Sequence, residues 1–226
     1  MQSVWVPLAL SLKVAFWATL LSTLLGVGCA YFLSRRQGLW VNLLDSIFTL
    51  PMVLPPTVIG YYLLVLFGRR GWLGPWLAKW GIELVFTWQG AVVAASVVAF
   101  PLVLKSARAA FESVDSRLIG AAYVLGVSPF GVFFRVTLPL AARGIMAGVL
   151  LAFARSLGEF GATLMVAGSI PGHTQTLSIA IYEAVQSGDE QRALFLVLVT
   201  SITCVLILWS ASYLATVRQK RQQQGY

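Results

Sequence analysis

The chain has 226 residues, of which 58% are hydrophobic and only 11% charged, against roughly a quarter charged in an ordinary soluble domain. Its net charge of +8 comes without a basic stripe carrying interleaved aromatics, which argues against a nucleic-acid partner and leaves the charge to be read as membrane topology. A single histidine, His173, removes most zinc sites and His-dependent triads, and Cys29 and Cys204 lie inside apolar runs with neither disulfide nor metal-ligand spacing.

Residues 14–33 carry no charge and extend about 30 Å as a helix, enough to cross the hydrocarbon layer. This first span lacks the charged leader and cleavage site of a removed signal peptide, so it is expected to be retained. The second span, 46–67, holds Pro51, Pro55 and Pro56, each without an N–H and each obstructing the preceding turn. A broken or sharply kinked helix is predicted there, packed centrally where protein or a watery cavity covers its open backbone. Trp72, Trp76 and Trp80 then recur every four residues on one helical face. Rings anchored at the membrane interface and a substrate-binding aromatic cage both fit that spacing. Span three runs from about 84 to 104, with Pro101 near its end.

The longest polar interval, 105–139, reads as two short helices joined by a turn. Asp115 or Ser116 can cap the first, and Leu118, Ala121, Ala122 and Leu125 give it an apolar face at i, i+3, i+4 and i+7. Gly126 stands where the chain leaves that helix, a position favouring the left-handed conformation. Ser128 and Pro129 supply an N-cap and a first helical residue, Phe130, Phe133 and Phe134 repeat the apolar spacing, and Leu138-Pro139 is expected to end the unit. Two capped amphipathic helices suit either a pair lying on lipid headgroups or a docking surface for a partner.

Span four, about 140–166, contains Arg155 and Glu159 four residues apart, on one helix face and able to neutralise each other. Intramembrane ions are costly and face the protein interior or a watery path, so the pair either fixes helix packing or helps to admit a dianion. Ser156 and Gly158 lie between the two charges. Gly144 and Gly148, at G-x-x-x-G spacing, and then Gly158 and Gly161 predict close approach of neighbouring backbone. An outer segment, 168–189, carries a Pro171-Gly172 turn and an apolar stretch, 177–181, that could dip back toward the membrane. Span five is 193–217.

With the N-terminus outside, the inner segments hold ten basic residues: Arg35, Arg36, Lys105, Arg108, Arg117, Arg135, Arg143, Arg218, Lys220 and Arg221. The outer segments then hold five: Lys13, Arg69, Arg70, Lys79 and Arg192. The positive-inside rule therefore predicts an external N-terminus, a cytoplasmic C-terminus and a cytoplasmic 105–139 loop.

Gly120-Ala121-Ala122, then Gly126, then Val136-Thr137-Leu138-Pro139 resemble the E-A-A-x-x-x-G … I-x-L-P signature of permease subunits of bacterial ABC importers, with Gly120 where the family has Glu. Leu50-Pro51 … Leu54-Pro55-Pro56, Gly68-Arg69-Arg70-Gly71, Arg155 to Thr163 and Ile170-Pro171-Gly172 resemble molybdate-type permeases. The G-E-F-G block is shared with sulfate-type permeases, and the short length and the G-R-R-G block tilt the choice to molybdate. The resemblance spans nearly the whole chain. It implies an all-α integral membrane permease of the type I ABC importer architecture, one domain over 1–226 with about five spans, in the bacterial cytoplasmic (inner) membrane. It implies that 105–139 is a coupling-helix loop that docks on an ATPase, with Ala121, Ala122 and Gly126 at the packed centre of the contact and Gly120, Leu138 and Pro139 completing the motif. The implied complex contains two copies of this chain, two cytoplasmic ATPase subunits and an external or periplasmic molybdate-binding protein. Pro55, Pro56, Arg155, Ser156, Gly158 and Glu159 are candidates for the translocation path or for packing beside it.

No G-x-x-x-x-G-K-[ST] phosphate loop occurs in the sequence, so no cofactor is expected in this chain, and ATP and Mg²⁺ belong to the partner ATPase. An intramembrane hydrolase finds no nucleophile–base spacing and no H-E-x-x-H. An ion-coupled carrier usually sets acidic residues deep in several spans, and only Glu159 is deep here. The expected function is a transport subunit that performs no chemistry of its own.

Overall fold

A computed structural model describes residues 4–223, with the side chains of residues 4–207 and 209. Among the described residues the chain is all-helical: α1 (Trp5–Ser34), α2 (Leu39–Val53), α3 (Pro56–Phe67), α4 (Gly74–Ala78), α5 (Trp88–Glu112), α6 (Ser116–Val124), α7 (Pro129–Val132), a π-helical turn (Phe133–Thr137), α8 (Leu138–Leu157), α9 (Gly161–Ala167), α10 (Leu177–Gln186) and α11 (Glu190–Gln223). Four stretches are long and apolar enough to cross a membrane: Trp5–Ser34, Trp88–Glu112, Pro129–Leu157 and Glu190–Ile207. The pair α2 and α3, bent by 113°, gives a fifth if taken as one broken span.

The central element is α5 rather than the proline-rich second span. Fourteen α5 residues are buried, among them Ala91, Ala94, Ala95, Ala99, Ala107 and Ala110, while in α2 only Val41 is buried. Small side chains let α1 and α8 approach α5 closely, which substitutes for the hydrophobic driving force that lipid does not supply. On α1, Gly26 faces Val103, where an added β-carbon would lie 3.0 Å from Cγ1, and Ser22 Oγ donates to the Ser96 carbonyl at 2.9 Å. On α8, β-carbons at Gly144 and Gly148 would lie 2.6 Å from Ala110 Cβ and 2.5 Å from Ser106 Cβ, so the G-x-x-x-G pair is a packing surface. The expectation of a centrally packed second span holds only in part within the single chain: α3 buries Ile59, Gly60 and Leu63 and abuts α9, while α2 buries Val41 alone. That span lacks the run of alanines that makes α5 a suitable hub.

Several boundaries differ from the hydropathy reading. Helix α5 continues past Pro101 to Glu112, so Lys105 and Arg108 stand on its last turns and not in a loop. The proposed end at Leu138-Pro139 is instead the first turn of α8, continuous with the preceding π-turn. There the Leu138 N–H reaches back to the Phe133 carbonyl, five residues away. The wider turn relieves the clash that a proline ring makes with the carbonyl four residues before it. Span four is not one helix, because it breaks between Leu157 and Gly161.

The 168–189 segment is packed against the rest of the chain. Thr174, Gln175 and Thr176 are buried, α10 buries Leu177, Ile179, Ala180 and Ala184, and the Leu177 N–H donates to Ser11 Oγ on α1 at 2.7 Å. Trp72, Trp76 and Trp80 are all exposed, with Trp76 and Trp80 ring centroids 6.3 Å apart.

Candidate functional site

The 113–137 connection is built from local caps. Asp115 Oδ1 accepts from the Arg117 N–H at 2.8 Å and opens α6. Gly126 leaves the helix with φ +77°, a conformation that costs other residues about 1–2 kcal/mol. Ser128 Oγ accepts from the Gly131 N–H at 3.2 Å, and Pro129 follows at the first helical position. Ile119, Ala122 and Val132 are buried together against Val114, Val127 and Val136, which clips α6 onto α7 and the π-turn. Phe133 turns inward, stacking edge-on against Tyr31 of α1 at 4.5 Å.

The face expected at Leu118, Ala121, Ala122 and Leu125 is therefore divided. Ala122 belongs to the inner face with Ile119, while Ala121, Leu118 and Leu125 point outward. Val124 is 89% exposed, Leu125 82% and Phe130 74%, with Phe134 4.6 Å from Phe130 beside them. Gly120 and Gly126 have open space where a β-carbon would stand. Leu138 is half-buried and Pro139 exposed. A groove of about 590 Å³ runs along Gly126, Ser128, Phe130, Phe134 and Arg135. The result is an exposed, largely apolar surface on a locally capped scaffold that follows α5.

The second region is where two helix breaks meet. Leu54 and Pro55 each precede a proline and are extended, with ψ of 142° and 136°, because a following proline ring excludes the helical conformation. Pro51, by contrast, is carried inside α2. At the other break, Glu159 is buried and does two things. Its Oε1 accepts from the Ala162 N–H at 2.9 Å, capping α9, and its Oε2 lies 2.6 Å from Arg155 Nη1. Arg155 lies in the last turn of α8 with its side chain 35% exposed. Ser156 is buried and Gly158 exposed. A β-carbon at Gly161 would lie 3.1 Å from Pro56 Cβ, and one at Gly60 would lie 2.6 Å from Met165 Cβ. The structure thus brings Pro56 against Gly161, two residues beyond Glu159. Gly158 makes no comparable approach, its nearest neighbour being its own helix carbonyl at 3.7 Å.

An ionic cluster that the sequence reading did not single out lies between these regions. Asp45 of α2 contacts Lys105 Nζ at 2.5 Å and Arg108 Nη1 at 2.9 Å, and Arg108 Nε donates to Glu112 Oε1 at 2.7 Å. The Arg108–Glu112 spacing of four was a usable signal; the 60-residue separation of Asp45 from Lys105 was not.

Residues 22–222 match the family of binding-protein-dependent transport system inner membrane components. The chain is 45% identical over 219 residues to the molybdenum transport system permease protein ModB of Escherichia coli (strain K12), covering 96% of each chain. It is 40% identical over 164 residues to the sulfate transport system permease protein CysW of Synechococcus elongatus, covering 73% of this chain and 57% of that one. Its fold superposes on a chain of the MetNI methionine ABC transporter, solved in inward-facing conformations, with a TM-score of 0.73 at 17% identity over 95% of this chain and 93% of that one.

Proposed function

We propose that this chain, which belongs to the family of binding-protein-dependent transport system inner membrane components, is the membrane-spanning subunit of an ATP-driven molybdate importer. The observation that carries the reading is the capped, outward-facing apolar surface of α6 and the 129–134 segment, set on a chain 45% identical over nearly its whole length to a molybdenum permease. Two copies form the path, and two ATPase subunits dock on the exposed side of α6 and α7. Ala121, Gly126, Leu125 and Phe130 meet the ATPase, Ala122 holds α6 to its own chain, and Leu138 and Pro139 tie the surface to α8. ATP hydrolysis takes place in those partners, and an external binding protein delivers the oxyanion. The N-terminus is outside and the C-terminus cytoplasmic, which puts the docking surface beside the ATPases.

Closure of the ATPases on ATP would draw the two docking surfaces together and shift the spans between outward-open and inward-open states, populated according to which ligands are bound. Arg155 and Glu159 act as a fixed pair that sets the α8–α9 bend, since a dianion attracted by Arg155 would be repelled by Glu159. The sulfate-type reading draws on the 40% match to a sulfate permease, but that match covers 73% of this chain where the molybdenum relative matches 96%. Reconstitution with its ATPase and binding protein tests the proposal. Labelled molybdate uptake that unlabelled molybdate and tungstate suppress and sulfate does not is the expected result, and competition by sulfate alone would replace molybdate with sulfate.

A further inference from the structure

Asp45 is the only charged residue in α2, a helix otherwise made of apolar and small polar residues. A carboxylate in such a helix is costly to place in a membrane and marks either a partner or a function. Its partners are on α5: Lys105 at 2.5 Å and Arg108 at 2.9 Å. Asp45 shares one α2 face with Val41, Leu44 and Phe48, the residues that pack toward α5, where Phe48 meets Phe100 edge-on at 5.7 Å. Further along, beside Ile47 and Pro51, α2 stands away from α1 and α5 and leaves an apolar cavity of about 230 Å³ lined also by Leu21, Leu25 and Phe100. Helix α2 is thus joined to α5 by ion pairs at Asp45 and bordered by the cavity toward Pro51.

Both ends of α2 are chain breaks. Gly38, at φ +129°, precedes it, and the extended Leu54-Pro55 follows it. From Asp45 the helix carries about 12 Å to Val53, the extended Leu54-Pro55 follows, and Pro56 then abuts Gly161 beside the Glu159 bend. In the other direction the cluster continues from Arg108 to Glu112, the last residue of α5, three residues before the Asp115 cap of α6. One ionic cluster therefore joins the helix that leads to the docking surface with the helix that leads to the paired breaks.

From this geometry we infer that Asp45 is a positioning residue for transport: through Lys105 and Arg108 it makes α2 follow the end of α5, so that movement of the α6–α7 surface reaches Pro55 and the α3–α9 contact. The inference rests on the importer reading above. Without the carboxylate, α2 keeps its apolar contacts but no longer tracks α5, and ATP is hydrolysed with less transport per turnover.

The test uses the complete importer, permease with its ATPase and binding protein, in proteoliposomes, and reads molybdate taken up per ATP hydrolysed. A residue that only stabilises the fold would lower the amount of assembled complex and leave this ratio alone. Asp45→Asn is expected to lower the ratio by about tenfold, within the range seen for residues that transmit coupling. Asp45→Glu keeps a carboxylate facing both Lys105 and Arg108 and is expected to retain most of the ratio. An unchanged ratio in Asp45→Asn overturns the inference. If that variant does not assemble, Lys105→Gln decides, since it removes one of the two contacts and leaves Asp45 paired with Arg108: a lowered ratio supports the inference and an unchanged one overturns it. Failure of the wild-type complex to transport molybdate would instead overturn the importer reading.

Discussion

The chain breaks its helices sharply at Leu54-Pro55 and at Gly158–Phe160, and the two breaks are held by different physics. The first is stereochemical: two consecutive residues precede prolines, both are forced out of the helical region, and no side-chain hydrogen bond caps α3. The second is electrostatic: a buried carboxylate caps the Ala162 N–H and balances the Arg155 guanidinium. A break of the first kind survives any change in its surroundings. One of the second kind lasts only while its charge is matched. Because Pro56 lies against Gly161, the rigid break serves as an abutment for the conditional one.

The abutment depends on the absence of side chains, so filling it should have the largest effect. At Gly60 an added β-carbon would lie 2.6 Å from Met165 Cβ and 3.0 Å from Ala162 Cα, the latter being backbone that cannot swing aside. Gly60→Val is expected to destabilise the chain by about 3 kcal/mol, the upper part of the usual cost of overpacking. The measurement is the yield and thermal midpoint of purified protein, and a variant as stable as wild type would show that α3 and α9 are not pressed together.

Next comes the charge pair. Arg155→Met leaves Glu159 buried without its counter-charge, and a loss of about 2 kcal/mol is expected, less than for a fully buried pair because Arg155 is partly exposed. Arg155→Met with Glu159→Gln should recover most of that loss. The glutamine carbonyl oxygen can still accept from the Ala162 N–H, so the cap survives while the charge is gone. Thermal midpoints and molybdate uptake measured together separate two outcomes. Stability and uptake restored together identify a structural pair, whereas restored stability without uptake places the pair on the ion's route.

How much of this was legible in the sequence follows the same division. The proline break could be located because Pro55-Pro56 constrains backbone locally, although Pro51 and Pro101 lie inside continuous helices. The second break could not: Arg155 and Glu159 show the same spacing of four whether or not a helix runs through them, and Gly158 alone costs a helix only about 1 kcal/mol. The caps at Asp115 and Ser128 and the left-handed Gly126 were readable because each is a local requirement. The outward turn of Leu118 and Leu125 was not, since their spacing is that of any amphipathic helix, and which face is buried depends on Val132 and Val114 from other elements. Asp45 carries no local signal because its partners are far along the chain.

At the proposed docking surface the expected change is smaller and spares the fold. Gly126→Ala must adopt φ near +77° with a β-carbon, a strain of about 1 kcal/mol, yet that carbon would meet nothing. The variant is expected to insert and to fold with a slightly lower midpoint. Co-purification of the ATPase tests whether the surface is the contact: an alanine that projects into the groove should weaken retention of the ATPase, and undiminished retention would move the docking site elsewhere.

The smallest effect belongs to Pro51 and sharpens the contrast between the breaks. Helix α2 runs through Pro51, and the turn after it is kept, the Leu54 N–H donating to the Leu50 carbonyl at 3.1 Å. Pro51→Ala supplies the missing N–H and relieves the ring's crowding of the preceding turn, and a change in stability within about 1 kcal/mol is expected, in the stabilising direction. The angle between α2 and α3 should stay as it is, because Leu54 and Pro55 remain committed to the extended region by Pro55 and Pro56. Replacing Pro55 and Pro56 by alanine removes that commitment. Spin labels at the exposed positions Trp40 and Tyr62 distinguish the cases, since a straightened 39–67 helix would hold them about 33 Å apart and the 113° bend holds them closer. The distance should match wild type in Pro51→Ala and lengthen only in the double alanine variant. Lengthening in Pro51→Ala would mean that the turn is shared among all three prolines and is not the local consequence of two.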